Sequence, residues 1–155
     1  MTRRFPSIAR DRMPPGSTIV CAERMSPAFV KYHLDDGRVL HRFTRPEPFA
    51  NPHDHPWPFQ TEVLSGGYIE EVFTIRIDGS WFSELITRVP GKIYEISANH
   101  IHRIVGLPAG ECWTLVRAGR QERTTQFWRF SEIVQRRVWN SRKWSLHCST
   151  RQSQR

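Results

Sequence analysis

The chain has 155 residues, with 23 Lys and Arg against 15 Asp and Glu, a formal net charge of +8, and three cysteines. A single domain of this length buries a core without staples, and an odd, scattered cysteine set with no C-x-x-C pair argues against a secreted disulfide framework, so a reducing cytoplasm is expected. No window nears the roughly 20 apolar residues that cross a bilayer, and the N-terminus does not read as a signal peptide, so no membrane association is expected.

The charge is uneven. Residues 1–12 carry four Arg and one Asp, residues 13–116 carry nine Lys and Arg against twelve Asp and Glu, and residues 117–155 carry ten against two. Basicity belongs to the ends, and nucleic acid is not expected as a partner of the central fold.

In chain order, residues 1–16 mix Arg, Pro and Gly without period and read as a basic, flexible segment ending in the turn Met13-Pro14-Pro15-Gly16. Residues 17–22 are a candidate exchanged strand for a homodimer. Residues 28–34 and 38–44 flank Asp35-Asp36-Gly37, and residues 67–77 and 81–89 flank Asp78-Gly79-Ser80, both hairpin signatures.

Further strands are expected over 92–97, 102–106, 111–118 and 126–130. Many short strands at this spacing predict an all-β, closed antiparallel architecture over residues 17–131. Residues 131–138 read as a short helix capped by Ser131, opening a basic C-terminal helix and tail over 132–155.

Between the two hairpins lies His53-Asp54-His55, followed by an alternating stretch. On an extended backbone side chains at i and i+2 point the same way, so both rings can reach one divalent cation. A second cluster, Asn99-His100-Ile101-His102, stands on a strand pattern, and His102 would complete a three-imidazole site with open positions for water or substrate. His100 shares parity with His102 and is either a further ligand or a rim residue that transfers protons.

The spacing from His53 and His55 through Gln60 to Gly67 resembles the first motif of the cupin superfamily, where the position of Gln60 is usually Glu. Residues 97–102 resemble the second motif and put His102 at the family's ligand histidine. The resemblance covers about residues 28–130 and implies a double-stranded β-helix, or jelly-roll barrel, of the small RmlC-like kind. It implies a metal site of His53, His55, Gln60 and His102.

Neutral Gln60 would leave the centre with its positive charge, which favours a small anionic ligand. Glu62, on the same face as Gln60, is the alternative carboxylate: a ligand or a base beside the metal. Tyr68, after the Gly66-Gly67 bend, is the hydroxyl that could approach a bound substrate. Trp57, Phe59, Trp113, Phe127 and Trp128 are candidates for the pocket wall or ordinary core.

The charges Glu70, Glu71, Arg76, Arg88 and Arg103 read as solvent-face or cross-strand pairs. One divalent transition metal is expected: Fe, Zn, Mn or Ni. With Fe(II) the resemblance implies dioxygenase-type chemistry, and with the others Lewis-acid isomerase or lyase chemistry is as reasonable. Two other classes stay open: a non-enzymatic cupin that binds a ligand or partner, and a basic C-terminus that contacts nucleic acid.

Overall fold

Alternation of apolar and polar side chains, punctuated by turn residues, builds the molecule from strands alone. The computed structural model describes residues 13–147. In them the chain forms β1 (Ile19–Ser26), β2 (Phe29–Leu34), β3 (Val39–Phe43), β4 (Phe59–Ser65), β5 (Tyr68–Ile75), β6 (Trp81–Arg88), β7 (Ile93–Ile96), β8 (Ile101–Gly106), β9 (Cys112–Ala118), β10 (Gln126–Phe130), β11 (Val134–Val138) and β12 (Ser145–Leu146). No helix of the described residues is long and apolar enough to cross a membrane.

The first sheet runs β1-β2-β3-β9-β4-β7. The second has two three-stranded parts, β6-β5-β8 and β10-β11-β12, joined by the extended segment 52–55. His53 and His102 exchange backbone hydrogen bonds of 3.0 and 3.1 Å, and on the other side the Asp54 amide donates to the Gln126 carbonyl and the Trp128 amide to the Pro52 carbonyl. Between β4 and β10 the chain crosses repeatedly from one sheet to the other, with the hairpins β5-β6 and β10-β11 kept within the second, which gives an antiparallel jelly-roll sandwich.

The crossing from β4 to β5 depends on two glycines. Gly66 and Gly67 have φ of +83° and +73°, and a Cβ on Gly66 would lie 1.9 Å from the Glu111 carbonyl oxygen. Both the backbone conformation and the close approach exclude a side chain there. The bend is what turns Tyr68 and the alternate residues after it into the interior.

Three apolar clusters follow from strand parity. Val63, Tyr68 and Cys112, with Phe43, Tyr94 and Ile104, bridge the two sheets. Tyr32, Leu40, Trp113 and Leu115, with Met13 and Leu64, cover the outer face of the first sheet. Phe73, Ile101, Trp128 and Val134 pack with Trp81 and Phe130 on the outer face of the second.

The helix expected over 131–138 is not seen, and the correction has a clear cause. Residues 131–133 form the turn of a hairpin, and Val134–Val138 pairs antiparallel with Gln126–Phe130, matching Trp128 to Arg136 and Phe130 to Val134. Val134 is buried against Trp128, so period-two burial beside β10 overrides a weak cap and helix-compatible charges. Sheet structure thus continues past residue 131.

Trp144 is enclosed by Arg129, with the guanidinium 3.8 Å from the ring centroid, and by Arg137 at 5.2 Å. These stacked cations and the tryptophan are engaged with one another on the sheet. The segment 1–12 and Cys148 with the rest of the tail lie outside the described residues. β1, which contains most of the candidate exchange strand, stands at the edge of the first sheet.

Candidate metal centre

His53 and His55 come from the joining segment, and His102 from β8 beside it. Because 52–55 is extended and bonded to both neighbours, its odd residues project into the interior and Asp54 projects away. Asp54 is fully buried and accepts hydrogen bonds from the Gln126 amide (2.7 Å), Arg123 Nη2 (2.8 Å) and Trp128 Nε1 (3.0 Å). Those three bonds clamp the peptide that carries both imidazoles.

The rings of His53, His55 and His102 are mutually adjacent, with centroids 4.9 to 5.2 Å apart. One ring nitrogen from each lies within 4.8 Å of those of the others. His55 Nε2 is buried without a hydrogen-bond partner. A buried nitrogen lone pair left unmatched is costly unless an electrophile meets it.

Burial drives the His53 imidazole down to about 3, aided by the charges of His102 and Lys31. Burial likewise drives His55 well below its ordinary value, with His102 and His53 adding to it. Both rings are therefore neutral at pH 7, the form that binds a metal.

Glu70 organises the remaining ring. It is fully buried; its Oε2 lies 2.7 Å from His102 Nδ1, and its Oε1 lies 3.0 Å from His100 Nε2 and 2.8 Å from Arg88 Nη2. Burial raises the Glu70 carboxyl, but the hydrogen bonds from His100 and His102 outweigh that and hold it well below the usual carboxylate range. An ionised carboxylate only accepts, so His102 Nδ1 is the donor to Glu70, which leaves Nε2 as the nitrogen available to a metal. A carboxylate–histidine pair of this kind fixes both tautomer and ring orientation in metal sites.

Glu70, His100 and His102 also group closely enough to be considered as a ligand set. The oxygens of Glu70 already receive two imidazoles and a guanidinium, however, whereas His55 Nε2 receives nothing. The donor set of His53, His55 and His102 fits a divalent ion better.

The carboxylate role moves from the expected residues to an unexpected one. Phe59 meets His55 with ring centroids 4.8 Å apart, so Phe59, Thr61 and Val63 form the inward face of β4. Gln60 and Glu62 lie on the opposite face: Gln60 donates to Glu95 Oε1 at 2.8 Å, and Glu62 lies in the field of Arg38. The odd positions face inward on both sides of Pro56 and Pro58, from His53 and His55 to Phe59 and Val63, so the even-numbered Gln60 and Glu62 face away.

Tyr68 does face the interior, on the same side of β5 as Glu70 and Val72. It is buried against Val63 and Cys112, and burial, with the Glu70 charge, raises its hydroxyl above the ordinary range. It is a proton-bearing hydroxyl at neutral pH. Burial also pushes the Cys112 thiol up to about 12, which leaves it inert as a nucleophile.

Glu70 had one signal in the sequence. It stands two residues after Tyr68, so a strand that turns Tyr68 inward must turn Glu70 inward as well.

No family model and no curated protein matches the chain. Among solved structures it is similar to the cupin domain of Drosophila melanogaster CENP-C, at 10% identity and a TM-score of 0.49 over 67% of this chain and 76% of that one. It is also similar to a DUF1255 protein of unknown function from Acinetobacter sp. ADP1, at 16% identity and 0.45 over 70% and 99%. A sugar phosphate isomerase of the cupin superfamily from Silicibacter pomeroyi matches at 15% identity and 0.42 over 77% and 76%. With two antiparallel sheets, a chain that crosses repeatedly between them from β4 to β10, and the H-x-H segment and His102 meeting inside, this protein has an antiparallel jelly-roll sandwich fold, to which those cupin structures are similar.

Proposed function

We propose that this protein is a metal-binding cupin that holds one divalent transition ion on His53, His55 and His102 and binds a small anionic molecule there. The observation that carries the reading is His55 Nε2, buried and unpartnered beside two other inward-facing imidazoles. An all-imidazole set suits Zn, Fe or Ni better than Mn, which prefers oxygen donors. Such an ion, when bound, supplies a Lewis acid with open positions.

The chain's own residues then have distinct tasks. Glu70 keeps the His102 proton on Nδ1 and holds the ring still. His100, hydrogen-bonded to the same carboxylate through Nε2 and with its ring centroid 4.9 Å from that of His102, is the candidate for moving a proton. Phe59, Phe43 and Tyr68 exclude water from the interior. Whether this arrangement performs isomerase, lyase or oxygenase chemistry depends on the ion and the ligand.

Metal content separates this reading from a metal-free binding module. Wild-type protein purified without a His-tag and dialysed against Zn(II), Fe(II) and Ni(II) is expected to retain close to one equivalent of one of them. His53→Ala, His55→Ala and His102→Ala should each lose affinity by more than the roughly 10–100-fold typical of outer-shell changes. Wild-type retention of no ion would overturn the proposal.

A further inference from the structure

Beside the imidazoles the interior contains a cation that the metal-site reading does not use. Lys31 on β2 pairs with His41 on β3. Phe43, two residues beyond His41, belongs to the cluster that bridges the sheets, so His41 and its partner Lys31 face inward. The ammonium lies 5.8 Å from the centroid of the Phe29 ring, and the His41 ring sits edge-on to Phe29 at 4.9 Å.

No carboxylate among the described residues forms an ion pair with Lys31. Glu23, its neighbour across β1, is instead bound to His33 Nε2 at 3.1 Å. The positive charge of Lys31 acts on His41 and also on His53 of the opposite sheet. One wall of the interior therefore carries the imidazole centre, and the facing wall carries an unpaired ammonium among aromatic rings.

Resting on the metal-site reading, we propose that Lys31 is the second anchor of the ligand, and that the ligand is a small dicarboxylate with one end at the imidazole centre and the other on Lys31. A single carboxylate satisfies one pole only. The facing sheets of a sandwich stand about 10 Å apart, and side chains from both fill part of that span, so a linker of a few carbons suffices. Burial lowers the Lys31 ammonium from its ordinary value, which Glu23 opposes only in part. An anion placed against it recovers the charged form and forms a charge-assisted hydrogen bond.

The test uses the full chain loaded with Co(II), with bound metal measured by dialysis and ligand binding read from the visible spectrum. Malonate, succinate and acetate are the probes, on wild type, Lys31→Met and Lys31→Arg. Wild type should bind malonate or succinate at least about tenfold tighter than acetate, a preference worth about 1.4 kcal/mol. Lys31→Met should lose that preference while keeping its Co(II) and its acetate affinity, and Lys31→Arg should keep most of it.

Unchanged acetate binding and metal content in Lys31→Met show that the variant is folded. A wild type that binds Co(II) but does not prefer dicarboxylates, or a Lys31→Met that retains the preference, overturns the role of Lys31 and leaves the metal site standing. Absence of Co(II) uptake by wild type overturns both.

Discussion

Glu70→Ala should destabilise the protein by about 3–5 kcal/mol, because it strips the partner from a buried guanidinium and from two imidazoles at once. Arg88 donates to Glu70 through both Nε (3.2 Å) and Nη2 (2.8 Å), and its side chain is only 14% exposed. Without the carboxylate that charge has no ion-pair partner among the described residues, and His102 Nδ1 loses the acceptor that orients its ring. Metal affinity should fall by roughly 10–100-fold in the same variant, as for other partners of ligating histidines.

Glu70→Gln keeps the volume but removes the charge, and its NH₂ group faces donors, so it should rescue only part of the loss. Urea denaturation and metal titration of both variants provide the check. A change below about 1 kcal/mol in Glu70→Ala would mean that the carboxylate is not the organiser of the interior.

The metal-free protein should lose stability steeply as pH falls below about 6.5. His41 and His53 are held to about 3 by burial, and His55 is also well below its ordinary value. In the unfolded chain all three titrate near 6.5, so between those limits the unfolded state binds more protons and stability rises with pH. Their contribution is fully present above the unfolded value and is lost on acidification.

At about 1.4 kcal/mol per proton per pH unit, three such rings give a slope approaching about 4 kcal/mol per pH unit. Glu70 acts in the same direction at lower pH: its folded value is depressed, so its contribution is present above the ordinary carboxylate range and lost below it. Urea midpoints of the metal-free protein should be flat from pH 7.5 to 9 and fall sharply between about 6.5 and 5. Bound metal should shift that fall to lower pH, since protons and the ion compete for the same nitrogens. Midpoints that do not move between pH 7 and 5 would show that the rings are not buried as neutral groups.

The hairpins around Asp35-Asp36-Gly37 and Asp78-Gly79-Ser80 were legible because turn chemistry and period-two patterning are both local. β2 with β3 and β5 with β6 form there, within a residue or two of the expected bounds. The convergence of His53, His55 and His102 was legible for a related reason, as i and i+2 on an extended chain share a face whatever surrounds them.

Residues 131–138 were misread because Ser131, Glu132 and the following arginines suit a helix start, and nothing local reveals that Val134–Val138 will find Gln126–Phe130 as a partner. Gln60 was placed at the site by its position in the cupin-like motif and Glu62 by its shared parity with Gln60, whereas His53, His55, Phe59 and Val63 are all odd-numbered and leave the even positions on the other face. Glu70 was passed over for a different reason. An isolated acidic residue in a strand usually faces water, and only partners 18 to 32 residues away, Arg88, His100 and His102, make its burial affordable.

The most direct test of the central claim is X-ray absorption at the metal edge of the protein loaded with its preferred ion, for zinc as the reference case. Three imidazoles at about 2.0–2.1 Å, recognised by scattering from the ring, together with light oxygen donors and no sulfur, is the predicted shell. Fewer than two imidazoles, or no stoichiometric ion to measure, would contradict it.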